Sequence, residues 1–190
     1  MIMSERYRTD TAIIGMWLFL ATEILFFGAL FFVFLVCRQL HPAAMDQGVR
    51  RTDLTIGTVN SALLLTSGVA VLLGVRHKLG YLLAAALLGV GFLTLKGFEY
   101  AEDFRQGLFP GPAFVAAPGD ALHQPLFFVC YFIATAIHAL HLLIGLALIA
   151  YAARRAMRGN WTPATVVALY WGFVDIVWIC LYPLLYLVGR

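Results

Sequence analysis

The chain has 190 residues, of which 62% are hydrophobic and only 12% charged, with a formal net charge of +3 and a mean hydropathy of +0.88. An ordinary soluble domain carries about 25% charged residues and cannot bury this much apolar surface, so the composition excludes a water-soluble fold. The small positive charge also excludes nucleic acid as a partner. A bilayer-spanning helix takes about 20 mainly apolar residues and satisfies its backbone polar groups internally. The length therefore predicts an all-α, integral membrane bundle of about five transmembrane helices forming a single domain over residues 1–190.

A short polar segment, Met1 to Thr11, precedes the first apolar run, Ala12 to Val36, which is too long for the core of a cleavable signal and is broken by one charge, Glu23. The second run, Ile56 to Val75, ends at the basic stop Arg76-His77-Lys78. The third, Leu79 to Tyr100, carries Lys96 and Glu99 near its far end. From Ala101 to His123 the breakers Gly107, Pro110, Gly111, Pro112, Pro118 and Gly119 predict a surface loop. Gln124 to Ala153 is the fourth span, closed by Arg154, Arg155 and Arg158, and Pro163 to Val188 is the fifth. Cys37, Cys130 and Cys180 lie in or at the end of apolar runs, without metal-ligand spacing, and read as packing residues.

Sorting the basic residues by side sets the topology, because cytoplasmic loops are enriched in them. Arg6, Arg8, Arg76, Lys78, Arg154, Arg155 and Arg158 fall on the N-terminal side. Arg38, Arg50, Arg51, Arg105 and Arg190 fall on the other, beside Asp46, Asp53, Glu102, Asp103 and Asp120. The expected sense is N-terminus cytoplasmic and C-terminus outside. Trp161, Tyr151, Tyr81 and Tyr186 are expected in the interfacial belts.

Ionisable groups in the oil cost a few kcal/mol each on insertion scales and ask for a reason. Glu23 falls near the middle of the first span, His138 and His141 near the middle of the fourth, and Asp175 near the middle of the fifth. Residues at equal fractional position in similar helices share a depth, so these four are expected to meet as a midplane polar cluster. One reading is a hydrogen-bonded clamp between helices with Glu23 protonated; another is a proton-buffering or relay group. Haem ligation would want a midplane histidine on a second helix, and His41, His77 and His123 all lie in or beside loops, so no metal or haem is expected in this chain. Lys96 and Glu99, three apart, form a helix-end pair in which the lysine is expected to snorkel to water. Asn60, Ser61, Thr66 and Ser67, with Gly28, Gly57, Gly68 and Gly145, are expected to let helices approach closely. The same buried groups also suit a stand-alone membrane proton or ion transporter, although no inverted repeat or Gly/Pro-broken helix pair accompanies them.

The run Gly15-Met16-Trp17-Leu18-Phe19-Leu20-Ala21-Thr22-Glu23-Ile24-Leu25-Phe26-Phe27 resembles the glutamate helix of the cytochrome oxidase subunit III family. Thr58-Val59-Asn60-Ser61, Phe98-Glu99-Tyr100, Ala134 to His141, and Tyr170-Trp171-Gly172-Phe173-Val174-Asp175-Ile176-Val177-Trp178 are similar to further blocks of that family, in its order. Ala136 stands where the family usually has glycine and Gly172 where it usually has histidine. The chain resembles the five-helix bacterial branch, which includes subunit III of quinol oxidases and the subunit III-like protein of nitric oxide reductases. The resemblance implies an accessory, non-catalytic subunit without redox cofactors of its own, haem and copper being held by partner subunits. It also implies packing on catalytic subunit I and on subunit II, support of proton uptake, bound phospholipid, and a place in the bacterial cytoplasmic membrane. Glu23 matches the family's carbodiimide-reactive carboxyl.

Overall fold

The computed structural model describes residues 2–76, 78–118 and 122–190, with side chains from Asp10 onward; His77, Gly119, Asp120 and the side chains of Arg6 and Arg8 lie outside the described residues. The chain forms helices α1 (Ile2–Leu40), α2 (Pro42–Arg51), α3 (Leu54–Gly74), α4 (Leu79–Arg105), α5 (Gln124–Ala156) and α6 (Thr162–Tyr182), the last continuing into one π turn, Pro183–Leu187. Five of these are long and apolar enough to cross a membrane. No strand occurs among the described residues.

Local chemistry sets the helix starts. Asp53 caps α3, its Oδ1 accepting from the amides of Thr55 at 2.8 Å and Ile56 at 3.1 Å. Proline stands in the first turn of α2, α5 and α6, where its missing N–H leaves no bond unmade. Directly after α6, Pro183 cannot donate to the preceding turn, and the ladder widens: the Val188 amide donates back to the Pro183 carbonyl at 2.9 Å.

Several boundaries differ from the sequence-based expectation. Helix α1 extends through the polar N-terminal segment to Ile2, and α4 runs on to Arg105, so the loop before α5 is shorter than predicted. Helix α2 was not anticipated. Its ten residues include Arg50 and Arg51 and read as loop, yet Ala44, Met45, Gly48 and Val49 form one buried stripe.

The bundle is built around α6. In the most apolar window of each span, 56% of α6 is buried by the rest of the chain, against 17% of α1. Helix α6 packs on α1, α3 and α5, and α3 packs on α4. Trp171 fits between α4 and α5 because both offer glycine there: a Cβ at Gly89 or Gly145 would lie 2.9 Å from its ring. Gly57 likewise admits the Tyr186 ring, and Gly68 the Asp175 carboxylate. Gly28 differs from expectation, since it faces outward and a Cβ there would meet nothing within 4 Å. Ser67 donates to the Ala85 carbonyl on α4 at 3.2 Å, whereas Thr66 is exposed and donates to its own helix, to the Ala62 carbonyl, at 2.7 Å.

On the side where α2 lies, basic side chains tie the chain termini of the spans together. Arg38 pairs with Asp46 at 2.6 Å and donates to the Val188 carbonyl at 3.1 Å. Arg50 donates to the Gly189 carbonyl, Arg51 to that of Val115, and Arg190 to those of Tyr186 and Thr52.

Candidate functional site

Glu23 on α1 and His141 on α5 meet, with Oε2 3.1 Å from Nε2 and side-chain exposures of 17% and 12%. The other imidazole nitrogen, Nδ1, lies 2.9 Å from the Ile137 carbonyl one turn earlier. A carbonyl oxygen only accepts, so Nδ1 carries a hydrogen. The contact between Nε2 and the carboxyl then needs one further proton, held on either partner. Both arrangements, carboxylic acid with neutral imidazole or carboxylate with imidazolium, have no net charge, which makes the pair tolerable in oil where a single ion would not be. Phe27 covers the imidazole edge-on at 5.2 Å, and Tyr170 donates to the His141 carbonyl at 3.0 Å.

His138 and Asp175 are not brought to this pair. Residues three apart on an α-helix point about 60° apart around its axis, so His138 turns away from α1. It lies between Phe92 at 5.7 Å and Trp178 at 5.0 Å, and neither ring nitrogen has a hydrogen-bond partner. Asp175 is directed at α3, against the Cα of Gly68, with its buried Oδ1 unpartnered. Position along each span was legible in the sequence; the facing direction was not.

A second polar site lies farther along α4. Lys96 and Glu99 are 3% and 2% exposed, so the lysine is enclosed and does not snorkel to water as expected. Its Nζ donates to Glu99 Oε2 at 3.0 Å, to the Tyr131 hydroxyl at 2.8 Å and to the Tyr186 hydroxyl at 2.7 Å. Both hydroxyls donate in turn to Glu99 Oε1, at 2.8 and 2.6 Å. The ammonium thus spends its three hydrogens and the carboxylate holds three donors, which satisfies a buried ion pair. Tyr186 is fully buried in this network, not in an interfacial belt, while Tyr81 and Tyr151 are exposed. Sequence reasoning missed Tyr131 and Tyr186 as partners. The sequence carried no signal for them, because Lys96 stands near the far end of the third apolar run and only the continuation of α4 to Arg105 places it well inside the helix.

Neither His138 nor His141 is placed to ligate a haem. His141 has both nitrogens engaged, and His138 is enclosed by aromatic rings. Among the described residues, no three His, Cys, Asp or Glu are grouped to hold a metal.

The family model for cytochrome c oxidase subunit III matches residues 7–190. This chain belongs to the cytochrome c oxidase subunit III family. It is 29% identical to cytochrome c oxidase subunit 3 of Thermostichus vulcanus, covering 95% of this chain and 89% of that one. It is also 29% identical to the Bacillus subtilis subunit 3, over 93% and 86% of the two chains. The haem-copper oxidase subunit I+III of Aeropyrum pernix is 29% identical over 92% of this chain, which spans 22% of that longer protein's length. The family assignment agrees with five membrane-crossing helices and lends nothing to the stand-alone transporter alternative. At Gly172 a Cβ would meet nothing within 4 Å, so the position has open space beside it.

Proposed function

We propose that this chain is the accessory subunit III of a bacterial haem-copper oxidase or a related nitric oxide reductase, packed on catalytic subunit I and on subunit II. The match to the subunit III family over residues 7–190 carries the reading. In it the chain holds no redox centre; haem and copper reside in the partners, and lipid covers the outward apolar faces. The chain lies in the cytoplasmic membrane with its N-terminus inside. The N-terminal side carries Arg76, Lys78, Arg154, Arg155 and Arg158. On the opposite side Arg38, Arg50, Arg51 and Arg190 serve as internal clasps, which supports that orientation.

Within this role, the Glu23 and His141 pair is a one-proton bond joining α1 to α5. It fixes helix packing and holds a proton at midplane beside the catalytic partner. Replacing Glu23 by Gln preserves the contact, because the Gln amide donates to Nε2 while Nδ1 keeps its hydrogen. The Glu23→Gln complex should therefore retain its haem content and electron transfer. Loss of haem from the purified complex would refute the accessory role.

A further inference from the structure

His41 alone separates α1 from α2, and His123 immediately precedes α5. Their imidazoles stack face to face, with ring centroids 3.9 Å apart and planes 16° from parallel. Each histidine is the N-cap of its helix, and neither side chain makes a capping hydrogen bond. His41 is also the joint of the corner: its amide donates to the Cys37 carbonyl at 2.9 Å, and its carbonyl accepts from the Met45 amide at 3.1 Å. Beside the stack, α2 is clamped to α5. Gln124 Nε2 donates to Gln47 Oε1, and the same side chain holds the Ala117 amide and carbonyl; Gly48 leaves room for the Phe127 ring. Both histidines are half-buried and lie just outside the spans Asp10–Leu40 and Gln124–Ala156.

We propose that the stacked pair His41 and His123 is a pH-sensitive latch, which releases the corner between α1 and α2 from the start of α5 when the solution on that side turns acid. Two neutral rings stack without penalty, and one imidazolium over a neutral ring is a cation over an aromatic face. Two imidazolium rings repel. At 3.9 Å, even in water-like surroundings, two unit charges oppose each other by roughly a factor of ten in an equilibrium, and by more where solvent is shielded. The two helix N-termini add to this, because each ring sits at the positive end of a macrodipole. The latch is therefore closed while imidazole is neutral and opens as pH falls below the range, around about 6.5, in which histidine ordinarily takes its proton. The titratable and charged groups on the surrounding elements are Cys37 and Arg38 on α1, Asp46, Arg50 and Arg51 on α2, and Cys130 and Tyr131 on α5; Asp120 in the preceding loop lies outside the described residues. Asp46 is bound to Arg38 at 2.6 Å. Opening loosens α2 from α5, and with it the end of α1, the least buried span. The latch lies wholly within this chain and does not depend on which partner the chain serves.

The test is hydrogen exchange at the amides from Met45 to Arg51, measured on the assembled protein in lipid nanodiscs at about pH 7.5 and about pH 5 and expressed as protection over an unstructured peptide at the same pH. In the wild type, protection of α2 should fall about tenfold on acidification while that of α3 holds. His123→Phe keeps an aromatic face for His41 but takes no proton. Its protection should match the wild type at the higher pH, and at the lower pH it should hold or rise as an imidazolium rests on the phenyl ring. His41→Phe should behave in the same way, and answers the question if His123→Phe does not assemble. Asp46, Arg38 and Cys37 remain in both variants, so a tenfold fall that persists in them would place the switch elsewhere and overturn the proposal. Wild-type protection that ignores pH, or a loss spread evenly over α2 and α3, would overturn it too.

Discussion

Replacing Glu23 by alanine and, separately, by glutamine probes how much the α1 to α5 bond contributes. Alanine removes the carboxyl and leaves His141 Nε2 unpartnered in a half-buried setting, since Nδ1 stays committed to Ile137. Polar bonds within membrane proteins measure about 0.6 kcal/mol on average and up to about 1.7 by double-mutant cycles. A bond that holds a shared proton and is shielded by Phe27 belongs near the upper end, so Glu23→Ala should cost about 1.5 kcal/mol. Glutamine restores a donor to the same nitrogen and should cost about 0.5 kcal/mol or less. At about 1.4 kcal/mol per factor of ten, alanine raises the undocked fraction of α1 about tenfold and glutamine about twofold. Protease nicking of α1 in detergent micelles, alongside denaturant unfolding, reads both. Combined with His141→Ala in a double-mutant cycle, the Glu23→Ala change should show a coupling of about 1–1.5 kcal/mol. Equal effects of alanine and glutamine, or a coupling near zero, would refute the shared-proton bond.

Two other sites give predictions of different size. Lys96→Met leaves the Glu99 carboxylate in the core without its counter-charge and should destabilise by about 3–5 kcal/mol, whereas Lys96→Met with Glu99→Leu should recover most of the loss in unfolding measurements. A double variant no better than the single one would mean that the network is not closed on itself. Gly68→Ala pushes a methyl into the Asp175 carboxylate and should cost about 1–3 kcal/mol, while Gly28→Ala meets open space and should be close to neutral; the paired melting temperatures check this.

The five spans were legible because apolar runs between charged stops are a one-dimensional signal, and the depth of Glu23, His138, His141 and Asp175 follows from position along each run. The direction each faces does not. A rotation of about 60° separates two histidines three residues apart and sends one to Glu23 and the other to Phe92 and Trp178. Lys96 misled for a related reason. Lysine commonly reaches water from a helix end, and only the partners brought by α5 and by the π turn after α6, Tyr131 and Tyr186, show that here it points inward. Helix α2 escaped notice because its buried stripe of Ala44, Met45 and Val49 is short and diluted by charge.

The subunit assignment is tested most directly by isolating the tagged chain from its native membranes in mild detergent and recording the visible spectrum and the identity of its companions. The account predicts haem-bearing partners whose Soret band remains with them when this chain is stripped away. A homogeneous assembly of this chain alone, carrying ion flux in liposomes and free of haem companions, would contradict it.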